Sequence, residues 1–483
     1  MEQEISIDQV RSRSISGVLA LLSRSFIIQI ITLVATLVLT YYLEPSVYGI
    51  FYLVTSVVNF LSYFADVGLA AAIIQKKEVV TKEDLATTFT IQQLLVVSLV
   101  GSVFILSSQI KSFFNLDPQG ERLLFAMAIS FFLSSLKTIP SILLEREIKF
   151  AKLVIPQILE TLVFNFVAVI AAIKGFGVDS FSFAVIARGV VGLIAVYILF
   201  PWRPRFGIYR QSLQSLLKFG LPYQLNTFLA VLKDDGMNLI LGKVVGTLGL
   251  GYLGWASRWA SLPLRVLMDN LTKVSFPAFS RLQDDKPRLA KAVQINLKYL
   301  CLASFPIFIG MGFLAKPLLE IIPKYQKWLP ALIPLYIYLY NGAWASVSTS
   351  LTNLLNATGR IKTTFKLMLM WTALTWVFMP ILSMKFGYLG TSYAVGIIAT
   401  SSFVTVLLAR RAVHFSLRES FATPLIASLA LILTLTPFMN HLQSLPMIIF
   451  ASIVGSVIYT SVVLLREGIG LITKVVSTYK AHR

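Results

Sequence analysis

Apolar runs of roughly 20 residues recur along this sequence from end to end, each long enough to cross about 30 Å of hydrocarbon as a helix. With 56% hydrophobic and 13% charged residues among 483, a soluble core cannot hide the apolar surface, so lipid must solvate much of it. The strict alternation of a β-barrel is missing. The runs predict an all-α polytopic membrane protein of about fourteen transmembrane helices, over 16–42, 48–74, 85–109, 121–143, 152–174, 178–200, 215–242, 248–279, 291–315, 329–355, 362–384, 387–409, 420–439 and 444–465. The first run follows a polar start, contains Arg24 and is too long for a signal-peptide core, so it reads as a retained helix.

The formal net charge is +20. In a soluble protein that balance suggests nucleic acid, but here the basic residues sit mainly in short loops. With the N-terminus in the cytoplasm, the inside segments carry 26 Lys and Arg and the outside segments 8. The expected place is the plasma (inner) membrane, and this bias predicts both termini cytoplasmic and an even number of spans. The single cysteine, Cys301, excludes an intrachain disulfide and a cysteine metal cluster. His414, His441 and His482 fall at or beyond helix ends, which argues against a buried histidine relay. No metal, cofactor or catalytic residue is expected.

The longest inside loop, near residues 201–214, reads as a seam between two halves. Phe176-Gly177 with Phe183-Ala184-Val185 is answered by Phe386-Gly387 with Tyr393-Ala394-Val395, at a constant offset of 210. Tyr48-Gly49 is matched by Gly251-Tyr252, and Ile148-Lys149 by Ile361-Lys362. An even number of helices per half gives parallel repeats, which place substrate between lobes. The expected division is a six-helix lobe over 1–206, a second over 207–416, and two last helices with a tail over 417–483, the lobes enclosing a central cavity. Shared membrane composition is the alternative explanation of the matches.

Several blocks resemble the polysaccharide-exporter branch of the multidrug/oligosaccharidyl-lipid/polysaccharide (MOP) flippase superfamily. They are Leu43-Glu44-Pro45-Ser46-Val47-Tyr48-Gly49, the stretch from Asp66-Val67-Gly68 to Gln75-Lys76-Lys77, Leu144-Glu145-Arg146-Glu147-Ile148-Lys149-Phe150, Gly242-Lys243-Val244-Val245-Gly246 with Gly251-Tyr252, and Phe276-Pro277-Ala278-Phe279-Ser280-Arg281. Within that branch the likeness is to Wzx-type colanic-acid and teichuronic-acid exporters, and it covers about the first 300 residues best. The resemblance implies a two-lobe flippase with alternating access. Its implied substrate is a polyprenyl-diphosphate oligosaccharide, moved from the cytoplasmic to the periplasmic leaflet for surface polysaccharide synthesis. It supplies no shared catalytic motif.

Candidate site residues come from charge inside spans. Arg24, Lys137, Arg188, Lys233, Arg258, Arg265, Lys273 and Lys298 lie there with Asp66, Glu160, Asp234, Asp235 and Asp269. An Arg or Lys at the bilayer centre costs roughly 2.5–3.5 kcal/mol, so most of these must face a wet cavity, pair with acids or snorkel. Polar stripes at helical spacing support a cavity: Thr55, Asn59, Ser62 and Asp66; Ser130, Ser134, Lys137 and Ser141; Tyr223, Thr227, Asp234 and Asn238; and Trp255, Arg258, Ser261, Arg265, Asp269 and Thr272. The alternative is helix–helix hydrogen bonding by small polar residues.

A diphosphate suits arginine, whose planar fork donates paired bonds and keeps its charge. Arg24, Arg188, Arg258 and Arg265 are therefore the expected cationic surface, with Tyr223 and Trp255 as platforms for sugar rings. Against this, Arg265 is spaced to pair with Asp269, and aromatics near helix ends also serve as interfacial belts. Asp234, Asp235 and Glu160 are candidates for coupling to H⁺ or Na⁺; plain pairing with Lys233 or Lys137 is the alternative. Expected partners are the lipid-linked oligosaccharide, the bilayer and the polysaccharide polymerase machinery, not nucleic acid. Three rival functions remain, one of them a lipid scaffold without transport, which the charges inside spans make less attractive. A multidrug or cation exporter would want an acidic pocket, and a membrane polymerase or ligase commonly carries a large extramembrane loop with catalytic residues.

Overall fold

The computed structural model describes residues 26–76, 78–147 and 149–468. Arg24 and His482 lie outside them, as do the side chains of Asp269 and Lys273. The described chain is built of helices: α1 Phe26–Tyr42, α2 Pro45–Ser62, α3 Leu69–Gln75, α4 Lys82–Ile105, α5 Ser107–Phe114, α6 Pro118–Leu136, α7 Thr138–Arg146, α8 Phe150–Ile173, α9 Asp179–Leu199, α10 Arg210–Val231, α11 Met237–Arg281, α12 Lys286–Ile321, α13 Leu332–Ala357, α14 Ile361–Ser401, α15 Phe403–Ala412, α16 Leu417–Leu435 and α17 Leu445–Glu467. Nine helices among the described residues are long and apolar enough to cross a membrane, or ten if the bent pair α6–α7 counts as one span.

Helix starts follow local chemistry. Proline begins α2 and α6, where its missing N–H is not needed. Thr81 and Asp84 form a reciprocal capping box on α4. Asp84 also takes Lys76 at 2.6 Å. Arg146 donates to the carbonyls of Ile73, Lys76 and Glu78 at 2.8, 2.6 and 2.9 Å, which fixes the turn before α4.

Interruptions inside the predicted spans also have local causes. The span expected over 48–74 is broken: after α2 the backbone is left-handed at Val67 (φ 50) and Gly68 (φ 77), and Asp66 accepts from the Ala70 N–H to start α3. Two long helices carry non-helical backbone at Gly246 (φ 69) and Gly387 (φ 58). A π-helical turn over Leu232–Gly236 separates α10 from α11.

The chain forms two compact units, Met1–Gly251 and Tyr252–Arg483. The first extends about 45 residues past the seam expected at 206–207. The reason is that α10 and the start of α11 pack on α2 and α3. A Cβ on Gly68 would fall 2.1 Å from the Gly220 carbonyl oxygen, and one on Gly251 would fall 1.9 Å from that of Pro45. Only glycine allows backbones this close. Tyr63 and Gln224 exchange hydrogen bonds beside the first of these contacts.

In the first unit, Leu69, Ile73, Phe89, Ile139, Ile142 and Leu216 form a core cluster. In the second, one cluster joins α12, α13 and α15, and another packs α16 and α17 on α12. On α8, Ile155, Leu159, Leu162, Phe166, Ile170 and Ile173 stay exposed at steps of three and four, an apolar face left for lipid.

Candidate functional site: a three-charge cavity in the first unit

The opposite face of α8 is polar. Gln157, Glu160 and Thr161 lie on it, and they line a cavity of about 340 Å³ with Lys137, Ser141, Arg188, Ile28, Leu153, Pro156 and Val196. Lys137 sits at the junction of α6 and α7, where the chain bends by 44°. Pro140 follows three residues later and supplies no N–H to the Leu136 carbonyl. The Tyr197 hydroxyl of α9 donates to that oxygen instead, at 3.0 Å. The bend therefore leaves no buried orphan there and turns Lys137 toward α8.

Glu160 is 7% exposed. It accepts from Lys137 Nζ, and its second oxygen lies 3.6 Å from Arg188 Nε. Space for this carboxylate exists because residue 192 on α9 has no side chain: a Cβ there would lie 2.2 Å from Glu160 Oε1. One carboxylate thus meets two cations, leaving one positive charge in excess. Arg188 carries that excess outward. Its side chain is 55% exposed, and its two terminal nitrogens bond nothing among the described residues. A guanidinium anchored at Nε with its other edge open is suited to accept a bidentate oxyanion.

The structure brings Glu160 and Arg188 together with Lys137, and within the first unit Tyr223, Asp234 and Asp235 are not among the residues lining this cavity. Asp235 hydrogen-bonds the Asn59 side chain, and exposed Asp234 pairs with Lys233 in the π-helical turn. Tyr223 is exposed and stacks on Phe219. In the second unit Arg258 is half-buried and Arg265 exposed, and neither makes an ion pair among the described residues. Trp255 is 4% exposed with its ring stacked on Trp328 at 5.2 Å. Of the serine stripe, Ser130 bonds the Val185 carbonyl at 2.8 Å and acts as helix–helix glue, while Ser141 reaches the cavity. Asp66 caps α3. The reading missed Gln157 and Thr161, although Gln157 falls three residues before Glu160 and four before Thr161, spacings that mark a shared face. It also missed Gly192, whose role is visible only in three dimensions.

Residues 38–333 match the family model described as polysaccharide biosynthesis protein. The chain belongs to this polysaccharide biosynthesis protein family. Among curated relatives, the succinoglycan biosynthesis transport protein ExoT of Rhizobium meliloti (strain 1021) is 22% identical over 276 residues, 57% of this chain and 55% of that one. The chain thus spans about half the length of that relative. The lipopolysaccharide biosynthesis protein WzxC of Escherichia coli (strain K12) is 23% identical, covering 74% and 72% of the two chains. Among solved structures, the lipid II flippase MurJ in an inward closed conformation aligns with TM-score 0.76 at 15% identity, over 92% of this chain and 98% of that one. An inward-facing multidrug resistance MATE family transporter of the MOP superfamily aligns with TM-score 0.58 at 16% identity, over 80% and 95%. At such identities the likeness shows the fold, that of a multi-pass membrane protein.

Proposed function

We propose that this polysaccharide biosynthesis protein is a transporter rather than an enzyme. In this reading it is a flippase that carries a polyprenyl-diphosphate oligosaccharide from the cytoplasmic to the outer leaflet by alternating access. The proposal includes fourteen crossings, with breaks at Gly246 and Gly387 dividing the longest helices, and both termini cytoplasmic in the plasma membrane. It keeps the repeat division into lobes over 1–206 and 207–416.

The observation that carries the reading is the excess positive charge of the Lys137–Glu160–Arg188 cavity within a membrane-spanning unit. A cation exporter needs the opposite sign. A cavity of about 340 Å³ takes a phosphate group or one sugar unit, not a whole oligosaccharide. Arg188 supplies the paired donors for a phosphate, and Glu160 acts as the fixed counter-charge that orders Lys137 and Arg188. Arg24, Arg258 and Arg265 are further cations along the route, and Tyr223 a stacking surface. Coupling to H⁺ or Na⁺ is assigned to Asp235 with Asn59, and to Asp234.

The test is lipid-linked oligosaccharide accumulation in cells lacking the protein, with the leaflet assigned by membrane-impermeant probes. Cytoplasmic-face accumulation is expected, relieved by the wild type and not by Arg188→Gln at equal abundance. Outer-face accumulation would place the block at polymerisation or ligation. Altered drug sensitivity without accumulation would favour the drug exporter.

A further inference from the structure

The loop joining α9 to α10, residues 201–209, reads Pro-Trp-Arg-Pro-Arg-Phe-Gly-Ile-Tyr and is followed by Arg210. It begins just past α9, a helix long and apolar enough to cross a membrane, and its backbone is held. The Gly207 N–H donates to Thr90 Oγ1 at 2.9 Å and the Tyr209 N–H to Thr87 Oγ1 at 3.0 Å, both on α4. Trp202 packs edge-on against buried Phe89, with ring centroids 5.2 Å apart. Phe206 rests one side of its ring on the same Phe89, with centroids 5.5 Å apart, and leaves the rest uncovered. Phe206 is 74% exposed, Ile208 54% and Tyr209 43%, interleaved with exposed Arg203, Arg205 and Arg210. These arginines make no ion pair among the described residues, and the sequence has no acid between Asp179 and Asp234.

We propose that this loop is a strap that binds anionic phospholipid headgroups at the membrane surface. Arginines donate to the phosphates while Phe206, Ile208 and Tyr209 enter the headgroup–acyl boundary. A topology signal alone explains the positive charge. It does not require large apolar side chains left exposed between the arginines, nor a backbone fixed by two threonine hydroxyls. The held backbone lowers the ordering cost of lipid binding.

The test uses the purified full-length chain in nanodiscs of phosphatidylglycerol and phosphatidylcholine, without lipid-linked sugar, so its failure is separate from failure of the flippase reading. Retained lipid is identified by native mass spectrometry. Preferential retention of phosphatidylglycerol is expected, weakened by salt and reduced roughly five-fold for each arginine removed in Arg203→Gln, Arg205→Gln and Arg210→Gln. Thr90→Val, which loosens the strap and keeps its charge, should give a smaller loss. If the triple variant melts early in phosphatidylcholine, the single variants, each at an exposed side chain, replace it. Equal retention by wild type and folded variants overturns the proposal, as does capture of a protein partner by the strap with no lipid preference.

Discussion

Each compact unit holds a lysine–glutamate pair between membrane helices, and the two pairs are finished differently. In the second unit Lys298 of α12 meets Glu467 of α17 at 2.7 Å, and Thr423 of α16 donates to the other carboxylate oxygen at 2.7 Å. One ion pair and one hydroxyl use both oxygens, and three helices are tied together. In the first unit Lys137 and Glu160 are joined by a second cation, Arg188, which is over-supplied with donors and opens on a cavity. A balanced pair with a hydroxyl partner reads as a structural joint. An unbalanced triad with one half-exposed member reads as a place where another anion completes the charge.

The largest expected break of that contrast is Glu160→Gln. It leaves two cations facing each other with one neutral amide, and removing one partner of a buried ion pair costs about 3 kcal/mol or more. Thermal denaturation in detergent should show a large drop in melting temperature, with low abundance in cells. A loss under about 1 kcal/mol would mean that water already screens Lys137 and Arg188, and that the triad is not a low-dielectric site.

Gly192→Ala should act on the same triad by steric means, at about 1–3 kcal/mol. The added methyl displaces Glu160 rather than removing its charge. Shortening the acid in a Gly192→Ala, Glu160→Asp double variant should recover part of the loss, a coupling that a double-mutant cycle measures. Additive losses would mean that residue 192 and Glu160 do not share the space that the geometry assigns them.

Apolar runs made most helices legible in the sequence because bilayer thickness fixes their length. The interruptions were less legible. Nothing in the apolarity of residues 48–74 marks the break after α2, which depends on Asp66 as a cap and Gly68 in the left-handed region. Helix α10 is not among the helices that pass as spans by apolarity, because it mixes Gln211, Ser212, Gln214, Lys218 and Gln224 with its leucines. Its packing on α3 through Gly220 is equally silent in the sequence. At the site, spacing offered Glu160 and Arg188 as separate candidates, one for ion coupling and one for substrate. Their meeting depends on the missing side chain at Gly192, and Lys137 joins them at the 44° bend, neither of which periodicity reports. Trp255 carried the right chemistry for a sugar platform, but neighbours bury it.

The smallest expected effect sharpens the comparison from the other side. Lys298→Gln removes the cation of the second unit's pair, yet Thr423 still donates to Glu467 and a glutamine amide still reaches as a donor. The cost should be smaller than that of Glu160→Gln, because both oxygens of Glu467 keep a donor and no two like charges are left facing each other. If the balanced pair is only a joint, export per folded molecule stays at the wild-type level while the melting temperature falls slightly. Arg188→Gln should do the reverse, since its half-exposed side chain contributes little to stability and its open edge is assigned to the substrate. Measuring both variants for melting and for export at equal abundance places them on opposite axes if the two pairs differ as argued. Loss of export in Lys298→Gln without loss of stability would move the functional charge into the second unit.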